Sequence, residues 1–363
     1  MPRRVGLDKI IRSYYFIGEL RQEDAHMKTI LVTGATGFVG SHVLMALAAH
    51  SDPDLRVIAA CREPSRLPKG VDVEQRVGDL RDANYLRGLL DGVDRVCHAA
   101  SWSSLWNHAE QSRALFLQPT LKLLEASVAR GIERFMFVST TSAPGPRACG
   151  DAHAPGLKPD FWPHLANVSW IEDAMRAAAG GKTVFVNLRC GLFAGERYGL
   201  GLLPILLPRL KTHLVPWIEG GRTGMPIIDG SDIGEAFRCA CLAEGLRGYE
   251  SFNITGPQVP QVREVIAYLH EEYGYPKPHF SVPFPVGYAF ARSMELLDAV
   301  VPWEPLVVRT IIHLLEETHA NNDAATARLG YMPRVDWRTA IRKQIGEMGW
   351  RQHGRMSMAL PVN

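Results

Sequence analysis

The chain has 363 residues, 46% of them hydrophobic and 21% charged, with a formal net charge of +2. That is enough apolar material for a large core, in one two-lobed enzyme or two modest domains, while the near balance of charge argues against a nucleic-acid surface. No apolar run approaches the ~18 residues of a membrane span, and the six cysteines (61, 97, 149, 190, 239 and 241) form no CxxC pair or ligand cluster. Reduced thiols in a cytoplasm are therefore expected, rather than a disulfide framework or a metal site.

Residues 1–26 start with basic residues, but Arg12, Glu19 and Arg21 interrupt any apolar segment, so they do not read as a secretory signal. They form an N-terminal extension, either an appended helix or a start-site overreach, ahead of Met27-Lys28-Thr29. The apolar run that stops at Thr33 predicts a first strand, and 41–49 reads as a helix. Between them lies Gly34-Ala35-Thr36-Gly37-Phe38-Val39-Gly40, with the spacing GxxGxxG. A strand turning tightly into a helix leaves the first backbone N–H groups unpaired and aimed at one point, and the helix dipole draws a pyrophosphate there. Gly34 makes the turn in this reading, Gly37 lets the backbone approach the phosphates, and Gly40 lets helix and strand pack closely. Dinucleotide binding is the expectation.

A second strand over 55–61 runs into Arg62-Glu63-Pro64-Ser65-Arg66 with no acid ahead of the arginine. An acid at that position reads the ribose 2′-OH of NAD, whereas a nearby arginine accommodates the 2′-phosphate of NADP. Arg62, with Arg66, therefore favours NADP(H), leaving NAD(H) as the alternative if both are merely solvated loop residues. Next come a strand at 72–77, the tight Gly78-Asp79-Leu80-Arg81-Asp82, a helix at 83–90 and a strand at 95–98. A long helix ending near Arg130-Gly131 leads to a strand at 135–139 and then to Thr140-Thr141. Strand and helix alternate as in a doubly wound parallel sheet of Rossmann type, an α/β fold. The Gly/Pro-rich 144–163 reads as a loop framing a site, followed by a helix at 167–179 and a strand at 183–188. From Gly191 the elements are mixed and Pro-rich, with apolar helices around 203–211, 284–299 and 305–317. The expected organisation is an extension (1–26), a cofactor domain (27–190), a smaller substrate lobe with segments returning to the sheet (191–350) and a tail (351–363).

Together these landmarks resemble the extended short-chain dehydrogenase/reductase superfamily, of the NAD-dependent epimerase/dehydratase type, from residue 28 to about 348. The resemblance rests on the glycine motif, on Gly78-Asp79-Leu80-Arg81-Asp82, Cys97-His98-Ala99-Ala100 and Phe137-Val138-Ser139-Thr140-Thr141. Leu188-Arg189-Cys190-Gly191, Asp232-Ile233-Gly234-Glu235-Ala236, Phe252-Asn253-Ile254-Thr255-Gly256 and Leu329-Gly330-Tyr331-Met332-Pro333 continue it. Val282-Pro283-Phe284-Pro285, Trp303-Glu304-Pro305 and Ala327-Arg328-Leu329-Gly330-Tyr331 resemble the 3β-hydroxysteroid dehydrogenase-like branch. The resemblance implies that Asp79 and Leu80 meet the adenine, and that Ala99 and Ala100 line the nicotinamide ribose. It also implies that Ser139, Arg189 and Gly191 complete the cofactor pocket, and that Thr140 and Thr141 hold the place of the catalytic Ser/Thr, whose hydroxyl donates to the substrate oxygen. By the same analogy, a homodimer would form through 115–128 and 167–179.

The superfamily's chemistry rests on Tyr-x-x-x-Lys, with a glutamate four residues after the lysine; the lysine lowers the phenol's pKa so that it can pass a proton. If Glu172 sets this register, Val168 stands at the lysine position and His164 at the tyrosine position, and no tyrosine occurs between Tyr85 and Tyr198. Three explanations compete. His164 could be the general acid, since an imidazole suits neutral pH without help from a lysine. Thr141 and water could suffice, or the reaction could be other than ketone reduction, such as epimerisation, dehydration or isomerisation. Or the protein could bind NADP(H) without turnover, as a sensor or assembly subunit. For substrate, Trp102, Trp106, Trp162, Phe193, Trp217 and the Pro-rich 202–216 point to a bulky apolar or aromatic molecule. A sugar nucleotide would need basic partners, and the second lobe offers only Arg209, Lys211 and Arg222, without obvious clustering.

Overall fold

A computed structural model describes residues 27–50, 54–298, 305, 307–316 and 319–354. The extension 1–26, Trp303-Glu304 and residues 355–363 lie outside the described residues. In chain order the first half runs β1 (Lys28–Thr33), α1 (Phe38–Ala49), β2 (Leu55–Cys61), β3 (Glu74–Val77), α2 (Ala83–Leu89) and β4 (Arg95–His98). Then come α3 (Ala109–Ser112), a π-helical turn (Arg113–Leu117), α4 (Gln118–Arg130), β5 (Arg134–Thr140), α5 (Pro163–Ala178) and β6 (Val184–Cys190). The second half contributes β7 (Leu192–Ala194), α6 (Leu202–Leu210), β8 (Trp217–Ile218), β9 (Ile227–Asp229), α7 (Gly230–Leu242), β10 (Tyr249–Ile254) and α8 (Val262–Tyr273). It ends with β11 (Ser281–Val282), α9 (Phe284–Leu297), α10 (Arg309–Leu314), α11 (Asp323–Leu329) and α12 (Trp337–Gly354).

Seven strands form one parallel sheet in the order β10-β6-β5-β4-β1-β2-β3. Such a sheet is covered on both faces, so its strands must be apolar on both sides. Ile30, Leu31 and Val32 are all fully buried. Ile30 and Val32 pack with Val43 and Leu44 of α1 and Phe237 of α7, whereas Leu31 faces the opposite layer with Leu123 of α4 and Ile171 of α5. The strand order reverses between β1 and β4, and in open α/β sheets a ligand crevice opens at that point, beyond the carboxyl ends. Thr33, His98 and Thr140 end their strands there.

The fold matches the expected doubly wound α/β architecture, with differences at the edges of elements. The helix expected over 167–179 begins earlier, at Pro163, because a proline's fixed φ and missing N–H suit the first helical turn. His164 is thereby in a helix rather than in the preceding loop. The long helix before β5 contains the π turn, an inserted residue that re-aims the side chains around Phe116. In the second lobe α6, α8 and α12 pack around Leu207, Val265 and Trp337, and α9 and α10 meet at Ala291 and Ile312. Among the described residues no helix is long and apolar enough to cross a membrane.

Candidate active site

The turn after β1 has the geometry that its glycines dictate. Gly34 sits at φ +63°, where a Cβ would also lie 2.6 Å from Ala100 Cα. A Cβ on Gly40 would stand 2.2 Å from the Gly34 carbonyl oxygen, so this glycine sets the approach of α1 to the turn. Gly37 differs: its N–H donates to the Gly34 oxygen at 2.9 Å, and that oxygen, at 3.2 Å, is the only neighbour a Cβ would meet. Its outer side is open. As N-cap of α1, Gly37 offers no side-chain acceptor, so the N–H groups of Phe38, Val39 and Gly40 have no partner within the helix. Thr36 is half-buried beside them, and the Val39 side chain belongs to the core. This cradle, whose open side a Cβ would fill, fits a dinucleotide pyrophosphate.

Around the cradle, Ala99 and Ala100 form the wall against Gly34. Behind them Thr33 Oγ1 lies 2.7 Å from His98 Nδ1, and His98 Nε2 lies 2.9 Å from Thr120 Oγ1; burial pushes His98 down to about 3. Arg62 is exposed at the end of β2 and makes no ion pair among the described residues. Asp79 accepts from the Arg81 backbone N–H (2.9 Å), Nε (3.0 Å) and Nη2 (2.7 Å). Arg81 holds that carboxyl down at about 2, with Arg62 adding a smaller effect. Leu80 packs at the edge of the core. Arg66 is exposed beside Glu63 at 3.8 Å. Its carbonyl accepts from Arg197 Nη2 at 3.1 Å, and Arg197 Nε donates to Ser41 Oγ at 3.1 Å. Arg197, absent from the sequence reading, ties the rim loop to α1 from the second lobe; its φ of +66° gives no signal in a residue string.

Thr140 and Thr141 separate in role. Thr140 Oγ1 accepts the Ser142 N–H at 3.2 Å and shapes the turn. Thr141 is 4% exposed, its N–H donates to the Cys190 carbonyl at 3.0 Å, and it lines a small cavity with Ser142, Cys149, Leu192, His313 and Glu316. His313 and Glu316 were not singled out from sequence. His313 Nε2 lies 3.3 Å from the Ser142 carbonyl oxygen and Nδ1 lies 3.3 Å from Glu316 Oε2. The signal that could have found them is His-x-x-Glu, the i,i+3 spacing that shares one helical face.

Ser139 and Arg189 find partners within the protein. Ser139 Oγ donates to Glu172 Oε1 at 2.6 Å, and Asn187 Nδ2 donates to the same oxygen at 2.8 Å. Arg189 reaches Oε1 through Nε (3.0 Å) and Oε2 through Nη2 (2.5 Å). The Arg189 and Glu172 side chains are both 0% exposed. These side chains clamp α5 to β5 and β6. Gly191 is a packing glycine: a Cβ there would lie 1.9 Å from the Pro226 carbonyl oxygen.

His164 also departs from expectation. Its ring packs 5.0 Å from the Phe116 ring. Burial lowers its pKa to about 4, with the Trp102 backbone carbonyl opposing only in part. Val168, one turn on, is buried in the apolar core with Phe116 and Phe137. An imidazole so placed is neutral at pH 7, so it is not the charged acid anticipated. Its Nδ1 is buried without a hydrogen-bond partner among the described residues. The aromatics are mostly structural: Trp162 Nε1 donates to the Ser104 carbonyl at 3.2 Å, Trp106 Nε1 to Asp298 at 3.2 Å, and Trp217 borders the second-lobe core.

Comparison with known proteins gives this arrangement a lineage. Residues 30–255 match the NAD dependent epimerase/dehydratase family. The chain belongs to that family. As a member of it, the chain is 28% identical over 327 residues to the 4-hydroxy-2-methyl-3-oxo-4-farnesyl-3,4-dihydroquinoline-1-oxide ketoreductase of Stigmatella aurantiaca, covering 88% of this chain and 96% of that one. It is 32% identical over 133 residues to the 3 beta-hydroxysteroid dehydrogenase/Delta 5→4-isomerase of Mycobacterium tuberculosis, covering 34% of this chain and 35% of the relative. Among solved structures, UDP-glucose-4-epimerase from Stenotrophomonas maltophila, with bound NAD and formylated UDP-arabinopyranose, superposes with a TM-score of 0.67 at 18% identity. That match covers 91% of this chain and all of the other, and it supports the fold.

Proposed function

We propose that this member of the NAD-dependent epimerase/dehydratase family is an oxidoreductase that uses NADP(H) on a bulky apolar carbonyl or alcohol. The observation that carries the reading is Thr141, which lines a cavity with Leu192, Pro226 and Leu314 at the carboxyl end of the sheet, the end at which the glycine turn after β1 also opens. Bound there, the nicotinamide supplies or accepts a hydride. The unpaired N–H groups at 38–40 hold the pyrophosphate, Ala99 and Ala100 bound the pocket, and the Thr141 hydroxyl donates to the substrate oxygen as it gains charge. Arg62, exposed and free of an ion pair among the described residues, is the partner for a 2′-phosphate. The farnesyl-bearing compound in the Stigmatella relative's name agrees with an apolar substrate. The same reading expects a cytoplasmic protein and a homodimer through 115–128 and 167–179, where Val128 and Trp170 are 40% and 52% exposed.

Fluorescence titration with NADPH and NADH tests the cofactor. NADPH should bind more tightly, and Arg62→Ala should remove the difference; equal affinity in the wild type refutes the preference. A panel of apolar ketones, enones and alcohols followed at the nicotinamide absorbance tests the reaction. Turnover that disappears in Thr141→Val supports it, whereas NADPH binding with no hydride exchange on any panel member favours a sensor.

A further inference from the structure

We infer that His313 is the proton donor and acceptor of this reaction, with Glu316 as its positioning carboxylate. The inference rests on the oxidoreductase reading and supplies the group that α5 lacks.

The two ring nitrogens of His313 both face acceptors: Nε2 the Ser142 carbonyl at 3.3 Å, Nδ1 the Glu316 carboxylate at 3.3 Å. An imidazole donates to both contacts only when both ring nitrogens carry hydrogen. The ring is fixed by edge-on packing against Trp162 at 5.8 Å and Phe161 at 6.3 Å, and its side chain is 6% exposed. It nevertheless borders the same cavity as Thr141, and Ser142 follows Thr141 directly. The other charged and titratable groups around the pair have separate places. Arg309, at the start of α10, is paired with Glu295 of α9 at 2.6 Å and lies over the Phe161 ring. Tyr288 of α9 bonds Glu316 and is held protonated, chiefly by burial and then by that carboxylate. Cys149, on the loop after β5, lines the cavity and its sulfur accepts the His319 N–H at 3.1 Å. Glu316 is thus steadied by a phenol on one side and turns its charge to His313 on the other.

Reduction of a carbonyl adds a hydride, which the cofactor supplies, to carbon, moves the C=O π pair onto oxygen, and adds a proton to that oxygen. His313 gives its Nε2 proton in place of the Ser142 contact, leaving alcohol and neutral imidazole; oxidation runs the same transfer backward. General acids of this kind supply ~10²–10⁴-fold.

The test compares wild type, His313→Gln, Glu316→Gln and His164→Gln, all first checked for NADPH binding by fluorescence and for melting temperature. In the wild type, kcat for reduction of a responsive panel ketone should fall at alkaline pH through a single ionisation. His313→Gln should lower kcat ~10²-fold or more and abolish that limb, with KM and NADPH affinity within about threefold. Glu316→Gln should move the limb to lower pH, and His164→Gln should leave it in place. Independently of turnover, exchange of the imidazole C2 hydrogen, read by mass spectrometry on the His313 peptide, should titrate at lower pH in Glu316→Gln. An active wild type whose pH profile overlays that of His313→Gln overturns the inference and spares the oxidoreductase reading. A wild type that binds NADPH yet reduces nothing overturns that reading, and His313 as its donor falls with it.

Discussion

Removing the charge of Glu172 should be among the most damaging single changes in the chain. Its carboxylate accepts four hydrogen bonds, from Ser139 at 2.6 Å, Asn187 at 2.8 Å and Arg189 at 3.0 and 2.5 Å. In Glu172→Gln the shape survives, but one accepting oxygen becomes an NH₂ facing a guanidinium. Arg189 is fully buried and loses its counter-charge, keeping one amide oxygen at most and the backbone carbonyls of Asp151 (3.3 Å) and Ala154 (2.7 Å). Stranding a buried charge in this way costs about 3–5 kcal/mol. By contrast, replacing both partners with apolar residues leaves no buried charge, only neutral groups such as the Ser139 hydroxyl and the Ala154 carbonyl short of a partner, so Glu172→Met/Arg189→Met should cost less than the sum of its singles by about 2 kcal/mol. Urea denaturation followed by far-ultraviolet circular dichroism and tryptophan fluorescence measures each cost. The cost should persist in 1 M NaCl, because solvent ions do not screen a buried pair. A loss below about 1 kcal/mol for Glu172→Gln, or additive singles, would refute the account of this network as a clamp on α5.

Three further outcomes follow from the cradle and the buried imidazoles. Gly37→Val should abolish binding of either nicotinamide cofactor while changing the melting temperature little, since its side chain enters open space where the phosphates arrive; calorimetric titration checks this. Gly40→Ala should impair folding itself, because its Cβ meets backbone 2.2 Å away, and the readout is soluble yield and thermal unfolding. Stability should fall as pH drops below about 6.5, the unfolded histidine value. His98 and His164 stay neutral in the fold to about 3 and about 4, so the unfolded chain binds more protons across that window. His98→Asn should make the decline shallower by about one proton; an unchanged slope refutes the assignment.

Where sequence and structure agree, local physics was enough. Short β-branched apolar runs bounded by turn residues read as strands buried on both faces, and Gly34, Gly37 and Gly40 are spaced for one turn geometry, so sheet and cradle were readable. Ser139, Arg189 and Gly191 sit in recognisable motifs, yet a motif does not say which way a side chain points. Only the packed fold shows that Glu172 takes up both polar groups and that Pro226 crowds the glycine. His164 makes the same point. Residue type alone implies a pKa near neutrality, whereas burial, in a place where Phe116 packs 5.0 Å away, lowers it.

The surroundings of α5 count against a charged proton donor there. In the register set by Glu172, Val168 would stand at the lysine position, and it lies inside an apolar core that would strongly penalise a charge. A tyrosine at position 164 would therefore lack the cation that lowers its pKa, and a histidine there is held neutral by the same surroundings. What His164 retains is a buried Nδ1 without a hydrogen-bond partner among the described residues. A donor needs a nearby anion to keep it charged and a path to the reacting oxygen. In the cavity lined by Thr141, His313 of α10 in the second lobe has the Glu316 carboxylate, just past the end of that helix, 3.3 Å from its Nδ1. It follows that His164→Tyr combined with Val168→Lys should lose stability without gaining activity, since the new lysine enters the core. If that double variant instead becomes faster than wild type and active into the alkaline range, α5 is the seat of proton transfer and His313 is not.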